Sequence, residues 1–69
     1  MNEEHAIKLS ASQLDRAEEL LESGYFKAAK FLAGGVKEYL ETIKSQKVEE
    51  QKQQLLARAN SILDKCEPA

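Results

Sequence analysis

Two short breaks, Glu22-Ser23-Gly24 and Ser45-Gln46-Lys47, cut this chain into three segments of about 20 residues, each carrying apolar side chains at three- and four-residue steps. That repeat is the period of an amphipathic helix, and no alternating pattern suggests a strand. Connections this short force neighbouring helices to run antiparallel, so the expected fold is all-α, an antiparallel up-down-up three-helix bundle in a single domain spanning residues 1–69. At 69 residues the chain is near the lower limit for one independent hydrophobic core.

The first helix is expected over about residues 3–22, with Ile7, Ala11, Leu14, Ala17 or Glu18, and Leu21 on its inner face. Asn2 can cap it, and Glu3 and Glu4 suit its positive end. Gly24 follows the last periodic residue, where a left-handed backbone ends a helix. The second helix is expected over about residues 25–44, its stripe of Ala28, Ala29, Phe31, Leu32, Gly35, Val36, Tyr39, Leu40 and Ile43 wide enough to face two neighbours. A third, over about residues 46–66, opens at a Ser45 cap and carries its apolar residues late, before Pro68; its first two turns are expected to project into water.

Gly34-Gly35 is the odd feature of the middle helix, because each glycine costs about 1 kcal/mol relative to alanine there. Close approach of packed helices, a shallow floor for an incoming peptide, or a local break would each account for the pair.

Ten basic and twelve acidic residues are interspersed along the chain for a formal net charge of -2, so no basic stripe points to nucleic acid. Cys66 is the only cysteine, which excludes an intrachain disulfide and a multi-cysteine metal site and suits a reducing cytosol. No apolar run approaches the roughly 20 residues that span a bilayer, and the acidic start is unlike a signal peptide, so no membrane insertion is expected. No catalytic activity, cofactor or metal is expected either. His5 and Cys66, the one candidate base and nucleophile pair, fall at opposite ends of an up-down-up bundle. His5 reads as solvated and Cys66 as a small buried hydrophobe.

The third helix carries two rows. Leu55, Ala59, Ile62 and Cys66 form one; Leu56, Asn60, Leu63 and Glu67 form another, rotated by about 100°. If the first packs inward, the second, with Asp64 beside it, borders a groove suited to an amphipathic helix presenting leucines and a basic residue. A helix touching two neighbours would also need a broad apolar face, and spacing alone does not separate these readings.

The motifs resemble a known family. Ser23-Gly24-Tyr25-Phe26-Lys27-Ala28-Ala29 is similar to the Gly-x-Tyr-x-x-Ala turn that opens the second helix of MIT (microtubule interacting and trafficking) domains and of tetratricopeptide hairpins, with either Tyr25 or Phe26 as the aromatic. Val36-Lys37-Glu38-Tyr39-Leu40-Glu41-Thr42-Ile43-Lys44 resembles the end of the MIT second helix, and Leu63-Asp64-Lys65-Cys66-Glu67 its Leu-Asp-Arg-Ala-Glu ending. The resemblance covers about two thirds of the chain; the first helix matches only as an amphipathic segment with Ala6-Ile7 and Leu9. Gly34-Gly35 stands in place of bulkier helix formers, and Cys66 in place of alanine.

The resemblance implies a monomeric, cytoplasmic interaction domain that binds motifs in the C-terminal tails of ESCRT-III subunits and so brings its host protein to endosomal membranes. It implies Leu63 as the apolar contact between the second and third helices, with Asp64 and Glu67 pairing with basic residues of the motif. A second surface, between the first and third helices, serves proline-rich motifs in that family. A tetratricopeptide-like or other helical adaptor and a dimerising helical segment are the competing expectations; the first lacks a 34-residue recurrence.

Overall fold

The first helix begins where the Asn2 side chain accepts the Glu4 backbone N–H at 2.9 Å, satisfying one of the donors that a helix N-terminus leaves without a partner. The computed structural model describes residues 2–66. It contains α1 (Glu3–Glu22), α2 (Phe26–Glu41), a single 3₁₀ turn (Gln46–Val48) and α3 (Glu49–Cys66), and no strand among the described residues. Every pair of the three helices is in contact, so the all-α three-helix bundle expected from the sequence is what forms. Its long dimension of 35 Å is close to the roughly 30 Å of a 20-residue helix.

At the end of α1, the Ser23 N–H donates to the Glu19 carbonyl and the Gly24 N–H to the Leu21 carbonyl, each at 3.1 Å. Gly24 takes φ +86°, a conformation an L side chain adopts only with strain, and so reverses the chain within three residues. Phe26 opens α2, and both Tyr25 and Phe26 stay exposed at the turn.

α2 stops at Glu41, three residues before the expected end. The Thr42 hydroxyl donates to the Tyr39 carbonyl at 2.6 Å, and the Thr42 and Ile43 N–H groups donate to the Tyr39 and Leu40 carbonyls. These bonds tighten the last turn, and Ile43 folds inward instead of extending the helix. Ser45 then accepts the Lys47 N–H at 3.3 Å and caps the 3₁₀ turn rather than α3 itself.

The core draws Ala6, Leu14 and Ala17 from α1, Ala33, Val36, Leu40 and Ile43 from α2 and its exit, and Val48, Leu55, Ala59 and Ile62 from the third segment. Leu14 and Leu40 are its largest fully buried side chains. Alanines at 17, 29, 33 and 59 have no solvent exposure, so the helix backbones approach closely across a thin core.

Two details of the expected faces change. On α1 the inner row is Ala6, Ser10, Leu14 and Ala17, with Ile7, Ala11 and Leu21 half-buried at its edge. On α2 only one of the interleaved apolar rows is buried, Ala29, Ala33, Val36 and Leu40, while Ala28, Phe31, Gly35 and Tyr39 are exposed. Small side chains face the two neighbours because the close spacing has no room for a phenyl ring.

The opening of the third segment also differs from expectation. Val48 is buried, and the Lys52 side chain, 12% exposed, donates to the Ile43 carbonyl at 3.0 Å and pairs with Glu49 at 3.0 Å. Lys52 thus ties the end of α2 to the start of α3 and satisfies a carbonyl that the early end of α2 leaves without a helical partner. The hydrogen bond from Lys52, with a second from Gln53, holds the Glu49 carboxyl below its usual range.

Candidate functional site

α3 orients the candidate site through its two flanks. Leu55, Ala59 and Ile62 are buried as expected and Cys66 is half-buried against them. At about 100° per residue, Arg58 falls on one side of this row and Leu56 and Leu63 on the other. Arg58 pairs with Asp15 and Glu18 of α1, which raise the pKa of its guanidinium further, Glu18 contributing more. Lys52, on the same side as Leu56, reaches the end of α2. Leu56 and Leu63 therefore border the seam between α2 and α3.

Both leucines are half-buried and pack against the core cluster, while Asn60 and Asp64 are exposed beside them. Seven residues separate the two leucines, about 10 Å along the helix axis, which matches the i and i+7 anchors of a helical ligand. Across the seam, Lys37 stands one turn beyond the buried Ala33 and is half-buried. Because the two helices run antiparallel, Lys37, near the end of α2, and Asp64, near the end of α3, fall toward opposite ends of the seam. Glu67, the remaining expected site residue, lies outside the described residues.

Depressions elsewhere on the surface of the described residues include three that do not involve Leu56 or Leu63. One of about 480 Å³ lies on the outward face of α2, lined by Lys27, Lys30, Phe31, Gly34, Gly35 and Glu38. A second of similar volume lies between the start of α1 and the end of α2, lined by Ala6, Tyr39 and Ile43 among others. The third, about 190 Å³, lies between α1 and the start of α3, with Ile7 and Val48 at its base and Glu4, Lys8 and Gln51 around it.

No family model, curated protein or solved structure matches this chain. His5 is exposed in the first turn of α1 and Cys66 sits in the last turn of α3, at opposite ends of the bundle. Among the described residues no three of His, Cys, Asp and Glu are placed to hold a metal ion. Among the same residues no helix is long and apolar enough to cross a membrane.

Two of the three expected readings of the glycine pair do not hold. A Cβ placed on Gly34 or Gly35 would meet no atom within 4 Å, so no neighbouring helix packs against either, and α2 runs through both without a break. Close helix packing does not explain them; they floor the depression beside Phe31, which is 83% exposed. Periodicity placed Phe31 in the inward stripe because it counts a phenyl ring like any apolar side chain, and it gave no sign of Lys52 and Arg58, whose partners across the bundle are 9 and at least 40 residues away.

Proposed function

We propose that this chain is a non-catalytic interaction domain that holds a short amphipathic helix of a partner protein along the α2–α3 seam. The observation that carries this is the pair Leu56 and Leu63. Each is half-buried on the α2 side of α3, two turns apart, and flanked by exposed polar residues. Two apolar anchors desolvated by a ligand helix would supply most of the binding energy, and the charged rim would mainly set its direction. With Asp64 toward one end of the seam and Lys37 toward the other, the favoured ligand presents leucines with a basic residue near Asp64 and an acidic one near Lys37.

The resemblance of the turn and of helices two and three to MIT domains makes the C-terminal tails of ESCRT-III subunits the first partners to test, with recruitment of a host protein to endosomal membranes as the consequence. A single motif should bind with a dissociation constant on the order of micromolar, since so small a contact gains strength mainly from multivalency. The test is an NMR titration of the isotope-labelled chain with a panel of such tail peptides, repeated on Leu63→Asp. Shifts on Leu56, Asn60, Leu63 and Asp64 that vanish in the folded variant support the reading. Silence across the panel would leave a helical adaptor for a different partner.

A further inference from the structure

The outward face of α2, away from the seam, carries Lys27, Phe31, Gly34 and Glu38 within an arc of about 60°. Phe31 stands exposed over a depression of about 480 Å³ floored by Gly34 and Gly35, and among the described residues no atom beyond the local helix backbone lies within 4 Å of the positions their Cβ atoms would take. An exposed phenyl ring beside a hollow in the same face forms a knob and a hole on one surface. Such a surface is self-complementary when two copies meet across a two-fold axis.

We propose that this face binds a second copy of the chain through an antiparallel α2–α2 contact. A two-fold axis between positions 32 and 33 sets Phe31 of each copy over Gly34 of the other and Lys27 of each opposite Glu38 of the other. The charges decide the direction. A parallel pair in register would oppose Lys27 to Lys27, Glu38 to Glu38 and ring to ring, whereas the antiparallel pair matches opposite charges at both ends and fills both hollows.

The spacing of positions 27, 31, 34 and 38 is the four-three-four alternation of two packed helices, and glycine at 34 leaves room for the ring against the opposing backbone. One face of a 16-residue helix is a small contact, so the dimer is weak, with a dissociation constant on the order of 100 μM, and the chain is monomeric at low micromolar concentration. Leu56 and Leu63 stay outside this contact, so two linked seams would result.

Sedimentation equilibrium from about 10 μM to 1 mM tests the proposal on either side of that dissociation constant. The native chain should shift from monomer to dimer over this range. Lys27→Glu and Glu38→Lys should each weaken the dimer by roughly tenfold or more, because each places two like-charge pairs in the contact. The double variant K27E/E38K should restore it, and Phe31→Ala, at an exposed position, should abolish it while leaving the helical circular dichroism unchanged. A native chain that stays monomeric to 1 mM overturns the proposal and gives this face to a different protein. Single charge variants that associate as the native chain does overturn the antiparallel register, and with it the proposal.

Discussion

Replacing Gly34 and Gly35 by alanine should stabilise the folded monomer. Both residues lie inside α2, and neither has a positive φ, a conformation Gly24 alone adopts among the described residues. A Cβ at either meets no atom within 4 Å, so no steric cost opposes the gain. The gain comes from helix propensity, about 1 kcal/mol for each glycine replaced in a helix interior, largely by reducing the freedom of the unfolded chain. In a domain of this size, 1 kcal/mol moves the melting temperature by about 4 to 8 °C, so the double variant should melt roughly 8 to 16 °C higher. Gly24→Ala is the internal control with the opposite sign: its φ of +86° should cost about 1 kcal/mol or more. Thermal and urea unfolding followed by circular dichroism at low micromolar concentration keeps self-association out of the measurement. A loss of stability in Gly34→Ala would refute the reasoning, because it would require a neighbour packed against that face in the folded monomer.

Substitutions at three further positions probe the interior and the ties between helices. Ser10 is buried with its hydroxyl lacking a hydrogen-bond partner among the described residues, so Ser10→Ala should be neutral or stabilise by up to about 1 kcal/mol, read as a higher urea midpoint with an unchanged slope. Lys52→Met removes a charge-assisted bond to the Ile43 carbonyl and should cost about 1 to 2 kcal/mol in urea unfolding; Lys52→Arg should recover part of it. Arg58→Met keeps the aliphatic stem but loses the pairs to Asp15 and Glu18; because both acids are substantially exposed, the cost should be about 0.5 to 1 kcal/mol and shrink in 0.5 M salt, a concentration of roughly this order being enough to screen surface charges.

Local chemistry was enough to place three helices and the two breaks between them, because a 3.6-residue apolar period, an asparagine cap and a glycine after the last turn act on neighbours in sequence. The inward row Leu55, Ala59 and Ile62 was legible for the same reason, and with it the position of Leu56 and Leu63 at its border. Tertiary structure decided what depends on distant partners. It chose Ala29, Ala33, Val36 and Leu40 over the row containing Phe31, since close helix spacing favours small side chains over a ring that periodicity counts equally. It ended α2 at Glu41, with Ile43 turned into the core and its carbonyl bonded by Lys52 nine residues on, an arrangement no local propensity encodes. Which flank of α3 faces α2 rested on Arg58 meeting Asp15 and Glu18 across the bundle, and the open surface over Gly34-Gly35 on no helix packing there. A helix writes its own faces into its sequence, but which of them finds a neighbour is set only when all three pack.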